Sequence, residues 1–267
     1  MGRPAFKADL KNSSLWQYRQ GVIRHFDRAA HTYDAAAALQ ARVAANFAAY
    51  LKNAMPSPPR VLEFGCGTGQ LTRLLKTQWP DAEISASDIA FNMVKSCTVH
   101  GAAHHFVMDA EAPCIAGNSF DIVCGSLAAQ WFVDPAPALH ALQKLVAKNG
   151  LLAFTTLAPG TLKEWHESLE RAGVPWARHD YPESSLLLSA RLPFMRSEME
   201  SCRTYTQNYA GGLSLLSSLR GIGADMRPYG LQPLSPGQLR RAITEFDRNG
   251  PHKATYRVIM LLWRRID

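Results

Sequence analysis

From residue 59 onward, short β-branched or apolar runs alternate with stretches of helical apolar spacing, the mark of an open α/β sheet. "RVLEF" predicts a first strand, "QLTRLLKTQW" a helix, "AEISASD" a second strand and "FNMVKSCTVH" a second helix. "HHFVMDA", "SFDIVCGSLA" and "GLLAFTTLA" predict the third, fourth and fifth strands, with "PALHALQKLVA" as the helix before the fifth. Asn149-Gly150 reads as the turn between that helix and strand, because Gly is favoured just past a helix end. This order predicts a doubly wound, mostly parallel sheet. After Thr161 the pattern loosens: helical "LKEWHESLERAG" is followed by prolines at 175, 182 and 193, which predicts a lid of short pieces. Strand character returns in "CRTYTQNY" and "ATYRVIMLLW", with helical "LSLLSSLRGIGA" between them, so that seven strands are expected in all. Ahead of the first strand, "LQARVAANFAAYL" predicts a helix, and "HFDRAAHTYDAAA" leads into it as an N-terminal arm. The expected partition is arm and helix over 1–55, ligand-binding core over 56–159, lid insertion over 160–200 and completion of the sheet over 201–267.

Composition adds bounds to this pattern. A chain of 267 residues, 47% hydrophobic and 19% charged, can bury a core as one domain or one domain with an insertion. The run "VIMLLW" is far too short to cross a bilayer and "MGRPAFKADLKNSSLW" lacks the apolar centre of a signal peptide, so a cytoplasmic protein is expected, with no membrane partner. Five cysteines without CxxC pairing read as reduced thiols, and neither His31 nor His179 belongs to a pair at metal-ligand spacing, so no metal is expected. The net charge of +7 is uneven. Lys+Arg against Asp+Glu is eight to three over 1–55, six to eight over 56–159 and fifteen to eleven over 160–267. The basic flanks are either a docking surface for an acidic partner or a scattered solvated surface. Without a dense basic run or an interleaved aromatic stripe, nucleic acid is not the expected partner.

The candidate chemistry centres on "VLEFGCGTGQL" at 61–71, with glycines at 65, 67 and 69. No GK followed by Ser or Thr comes after Gly69, so the loop is not a triphosphate-binding P-loop. The spacing is not the G-x-G-x-x-G of dinucleotide folds, and the Glu63 carboxylate beside it opposes a bound anion. A cationic ligand fits better, and S-adenosylmethionine carries both a sulfonium and an ammonium. Asp88, closing the second strand, stands where an acid accepts ribose hydroxyls, and Asp109, after the third, is placed to accept from the adenine amino group. Taken singly, the loop is equally a tight turn and each Asp a helix cap; their order at successive strand ends points to one ligand. Cys66 reads as a small residue at a crowded turn.

"LEFGCGTG", "SDIAFNM", "DAEAP" and "SFDIVCGSLAAQW" resemble the motif series of class I S-adenosylmethionine-dependent methyltransferases. A narrower resemblance, from about Phe26 to the C-terminus, is to the malonyl-[acyl-carrier protein] O-methyltransferases of biotin synthesis, BioC; it is carried by "FDRAAHTYDAAAALQ", "SLAAQW", "FTTLAPGTL", "SLRGIGA" and "TYRV". The resemblance implies a Rossmann-like seven-stranded fold and S-adenosyl-L-methionine held by Gln40, Glu63, Gly65, Cys66, Gly67 and Gly69. Asp88, Ile89, Met93, Asp109, Ala110 and Ser126 complete that implied set. Tyr33 is implied to close over the cofactor, and Gln130 and Trp131 to wall the methyl-transfer point. The implied substrate is malonyl-acyl-carrier protein, with malonyl-coenzyme A as an alternative thioester. Arg220 is either a bidentate partner of the substrate carboxylate or a solvated helix charge. A malonyl carboxylate is ionised near neutral pH, so its methylation requires no general base, in keeping with the absence of a Ser/His/Asp or Cys/His pattern.

Three positions depart from the family pattern: Glu63 where Asp is commoner, Arg220 where Lys is usual, and "VPWARHDYPESS", which lacks the Asn-Arg-Phe that often follows its histidine. A trans-aconitate methyltransferase-like enzyme shares the cofactor motifs, but "FDRAAHTYD" and "LRGIGA" count against it. A methyltransferase-like binding protein without activity is the alternative from another class.

Overall fold

The computed structural model describes residues 5–174, 181–226, 234–248, 250 and 252–267, with side chains from residue 15 onward. The strands are β1 (Arg60–Phe64), β2 (Glu83–Asp88), β3 (His104–Val107), β4 (Phe120–Gly125), β5 (Val146–Leu157), β6 (Met195–Asn208) and β7 (Lys253–Arg265). They form one seven-stranded sheet in the order β3-β2-β1-β4-β5-β7-β6. β1 to β5 pair in parallel, whereas β7 lies antiparallel between β5 and β6, with Leu152 opposite Trp263. The Rossmann-like, doubly wound arrangement expected from the sequence is present.

Both faces of the parallel part are covered, which is why its strands are almost continuously apolar. Alternate residues serve opposite faces. Leu62, Phe64, Val123, Leu152 and Phe154 pack on one side with α6 (Pro135–Gln143). Val61, Ile84, Ile122, Leu151 and Ala153 pack on the other against α3 (Ala38–Ala54) and α4 (Gln70–Gln78), which bring Phe47, Leu51, Leu71 and Leu75. α3 is thus the predicted N-terminal helix. Before it run α1 (Ala5–Ala29) and the single turn α2 (Tyr33–Ala36). α5 (Phe91–Cys97) follows β2.

Some expectations need correction. Asn149-Gly150 does not end a helix: α6 stops at Gln143, and the pair lies inside β5, where the register with β4 shifts between Phe120 and Ile122. Asn149 there has φ +62°, and a Cβ on Gly150 would lie 2.8 Å from the carbonyl oxygens of Ala147 and Asp121. The glycine answers a close backbone approach at a bulge. Residues 195–200, read as the end of the lid, are the start of β6. α7 (Lys163–Arg171) matches the predicted helix but packs through Trp165 and Leu169 into the main body. The rest of the lid segment holds α8 (Ser184–Leu188), while 175–180, and with them His179, lie outside the described residues. After β6 come α9 (Gly212–Gly221) and α10 (Pro236–Arg248). α10 was missed in the pattern although its start is a capping box: Ser235 N–H donates to Gln238 Oε1 at 2.8 Å and Gln238 N–H to Ser235 Oγ at 3.3 Å, with Pro236 first in the helix.

Candidate active site

The glycine loop joins β1 to α4, and all three glycines have positive φ: +63° at Gly65, +55° at Gly67 and +94° at Gly69. Their reasons differ. A Cβ at Gly65 would stand 2.4 Å from Ala128 Cβ, and one at Gly69, where α4 begins, 2.4 Å from His100 Cδ2. At Gly67 the nearest atom is a Tyr33 ring carbon 3.9 Å away, an ordinary van der Waals contact, so there the backbone conformation alone demands glycine. Gly67 N–H donates to Asp88 Oδ2 and Ala90 N–H to Asp88 Oδ1, both at 2.9 Å. One carboxylate therefore ties the loop to the end of β2 and the start of α5. Asp88 is 8% exposed, and burial raises its pKa to about 6 against the opposing pull of those two N–H groups.

Above this junction lies a cleft with two adjoining compartments. The larger is lined by Phe64, Asp88, Ile89, Met108, Asp109, Ala110, Glu111, Leu127, Ala128, Trp131, Phe132 and Val133 from the sheet side, and by Arg19, Val22 and Phe26 of α1. The smaller is lined by Gln40, Ala44, Glu63, Cys66, Thr68, Gln70 and Leu71. Tyr33, Gly65, Gly67 and Ser126 line both. Among the described residues, no histidine lines either compartment. Among the described residues, no group of three or more His, Cys, Asp or Glu is placed to hold a metal ion.

Most residues expected from the sequence thus meet at one cleft, and four do not. Gly69 shapes the turn without lining the walls. Met93 is 0% exposed, packed beneath α1 against Phe26, Ala29 and Tyr33, so it supports the wall instead of touching a ligand. Gln130 turns inward: its Nε2 donates to the Leu127 carbonyl at 2.6 Å, bracing the short 3-10 turn over Ala129–Trp131. Arg220 lies outside the cleft, 79% exposed in its side chain, with Nε 3.5 Å from Asp225 Oδ2.

The structure also revises the charges. Glu63 is 1% exposed and accepts a hydrogen bond from Thr72 Oγ1 at 2.5 Å. Burial first, with Cys97 and Asp88 adding to it, pushes its carboxyl well above the usual range, so the site without a ligand disfavours the ionised form expected there. Burial, Asp88 and Asp34 together raise the Tyr33 hydroxyl, which keeps it a neutral donor. α2 is pinned to the loop by Thr68 Oγ1, which donates to Asp34 Oδ1 at 2.6 Å, and Gln70 Nε2, which donates to the same oxygen at 3.2 Å. Asp109 is engaged on both oxygens: Oδ1 accepts from Glu111 N–H at 2.9 Å, and Oδ2 lies 2.9 Å from Arg19 Nη1. Arg19, Val22, Phe26 and Glu111 were not read as site residues. Glu111 stands in the quoted "DAEAP" and Phe26 opens "FDRAAHTYDAAAALQ"; Arg19 and Val22 have no local signal.

Among the described residues, four carboxyl groups and a single cationic side chain, Arg19, line the cleft. With Asp109 and Glu111 shared by Arg19 and Glu63 held toward its neutral form, this carboxyl-rich set disfavours a phosphate more than a cation. The ligand's affinity is expected to depend on the Asp88 charge. If ribose hydroxyls donate to the carboxylate, binding lowers its pKa from about 6, and affinity should weaken as pH falls below that value, by up to about tenfold per unit, and level off above it. Calorimetric titrations with S-adenosylmethionine between pH 5 and 8 check this; a constant affinity across pH 6 would contradict it.

A family model described as Methyltransferase domain matches residues 33–206. The chain is 35% identical over 256 residues to the Biotin biosynthesis bifunctional protein BioCD of Bordetella avium, covering 92% of this chain and 52% of that protein, about half its length. It is 34% identical over 252 residues to the Malonyl-[acyl-carrier protein] O-methyltransferase of Magnetococcus marinus, covering 91% of this chain and 92% of that protein. Among solved structures, a SAM-dependent methyltransferase from Thermotoga maritima superposes with a TM-score of 0.52 at 15% identity, covering 91% of this chain and 99% of that one. This last likeness is one of fold.

Proposed function

We infer the reaction from the chain's family: it belongs to the malonyl-[acyl-carrier protein] O-methyltransferases, within the methyltransferase-domain proteins. It is an S-adenosylmethionine-dependent enzyme that converts the free carboxylate of malonyl-acyl-carrier protein to its methyl ester, a step of biotin biosynthesis. The observation that carries the reading is the tie between the glycine loop and Asp88 beneath a carboxylate-lined cleft, in a chain that covers 92% of such a relative.

S-adenosylmethionine supplies an electrophilic methyl group on its sulfonium. Asp88 would accept the ribose hydroxyls, and Gly67, which has no Cβ and lines both compartments, would let the cofactor approach the backbone. Asp109, shared with Arg19, would hold the adenine, and Glu63, Gln40 and Ser126 would hold the amino-acid end. Because Tyr33 lines both compartments, the methyl-transfer point lies beside it, with Trp131 as the opposite wall. The substrate carboxylate arrives ionised, so these residues align it and exclude water; Phe26, Trp131 and Phe132 supply the apolar lining.

Arg220 is assigned to docking the acidic carrier protein, because its exposed position outside the cleft leaves it no contact with the reacting carboxylate. Malonyl-coenzyme A is proposed as a poorer substrate that lacks this docking. A cytoplasmic location is also proposed: all five cysteines are free thiols, and no helix among the described residues is long and apolar enough to cross a membrane.

Labelled S-adenosylmethionine incubated separately with malonyl-carrier protein, malonyl-coenzyme A and trans-aconitate tests the reading. A methyl ester on the malonyl thioesters is expected, with a rate at saturating cofactor that stays flat between about pH 6 and 8, where a histidine base would titrate. Arg220→Ala should slow only the carrier-protein reaction. Ester on trans-aconitate alone, or none at all, would overturn the assignment.

A further inference from the structure

α1 lies against the larger compartment and brings Arg19, Val22 and Phe26 to its wall. Arg19 spans two carboxylates there: Nη1 is 2.9 Å from Asp109 Oδ2, and Nη2 donates to Glu111 Oε2 in a short contact. The other Glu111 oxygen, Oε1, accepts from Val133 N–H at 2.7 Å and Asp134 N–H at 3.1 Å. A single carboxylate therefore links α1 to the segment that follows Trp131. Phe26 closes the same link through packing, meeting the Trp131 ring edge to face with centroids 5.3 Å apart. The side chains of Asp109 and Glu111 are 25% and 12% exposed, so the pair is shielded more than an ordinary surface ion pair.

We propose that Arg19 is a positioning residue: by bridging Asp109 and Glu111 it latches α1 over the bound cofactor and holds the segment carrying Trp131 at the methyl-transfer point. Three physical points support this. Asp88 at the end of β2 and Asp109 to Glu111 beyond β3 form one wall of the larger compartment and Arg19, Val22 and Phe26 of α1 another, so the seating of α1 shapes the space open to the cofactor. The planar guanidinium fork can serve two carboxylates at once, which a lysine serves less well. Without the cation, Asp109 and Glu111 would face each other as like charges at the wall of the cleft, a repulsion that loosens the segment.

The proposal rests on S-adenosylmethionine being the ligand of this cleft. Labelled S-adenosylmethionine is loaded onto the full chain, diluted into excess unlabelled compound, and its release timed. Arg19→Ala is expected to release it about tenfold faster, the scale of a lost charge-assisted hydrogen bond, with Arg19→Lys between the two. Glu111→Gln should also speed release, and the double variant should be no faster than Arg19→Ala alone, because both break one link. In turnover, the KM for S-adenosylmethionine should rise more than kcat falls. Unchanged release in Arg19→Lys and Glu111→Gln, additive effects in the double variant, or slower release without Arg19 would each overturn the latch; the last would make Arg19 a competitor of the adenine for Asp109. If the wild type fails to retain the label, the cofactor reading falls and the latch with it, whereas normal retention with unchanged variant rates removes the latch alone.

Discussion

Replacing Asp88 with Ala is expected to weaken S-adenosylmethionine binding by about 5- to 150-fold, corresponding to about 1–3 kcal/mol for an unmade buried hydrogen bond. The effect has two sources. The ribose hydroxyls lose their acceptor, and Gly67 and Ala90 lose the carboxylate that receives their N–H groups, so the loop itself is released from β2 and α5. Asp88→Asn keeps one acceptor oxygen and should fall between wild type and Ala. It also lacks a titrating carboxyl at this position, so the fall in affinity expected below about pH 6 should flatten in this variant. Calorimetry with the folded variants decides the matter, and undiminished affinity in Asp88→Ala would remove the ribose assignment.

Gly65→Ala is expected to cost stability as well as binding. The left-handed backbone at φ +63° penalises any Cβ by about 1–2 kcal/mol. In addition, the new methyl would stand 2.4 Å from Ala128 Cβ, where packing carbons sit at about 3.5–4.0 Å, so the loop or the segment leading to Trp131 must shift, at a further cost of about 1–3 kcal/mol. Gly67→Ala separates the two effects. Its φ of +55° carries a similar backbone penalty, but its Cβ would meet the Tyr33 ring at 3.9 Å, an ordinary contact without a clash. That variant should lose less stability than Gly65→Ala and still lose the cofactor, because the methyl occupies the ligand's approach. Thermal denaturation beside calorimetry distinguishes them. Adding Ala128→Gly to Gly65→Ala should recover part of the lost melting temperature; no recovery would show that backbone strain alone accounts for the loss.

The parts of this protein legible in the sequence are those governed by neighbours along the chain. The apolar runs of β1, β4 and β5, the helical spacing of α3 and α4, and glycines at 65, 67 and 69 are local statements about burial and backbone freedom. They sufficed for the sheet and for the glycine loop that borders the cleft at the ends of β1 and β2. The capping box of Ser235 and Gln238 was equally local, and shows that α10 was readable too. The motifs also located Met93, Gln130 and Arg220 along the chain, but not the direction of their side chains. Only packing decided that Met93 faces Phe26, that the Gln130 amide turns to Leu127, and that Arg220 points away from the cleft. Ionisation was decided in the same way: Glu63 looks like a free carboxylate in the sequence, and burial in the fold holds it toward the neutral acid. The pairing of Arg19 with Glu111 crosses 92 positions and has no periodicity to announce it. Backbone propensity and hydrophobic patterning act over a few residues and are written in order along the chain, whereas solvation and charge pairing depend on which distant groups the fold places within a few ångströms.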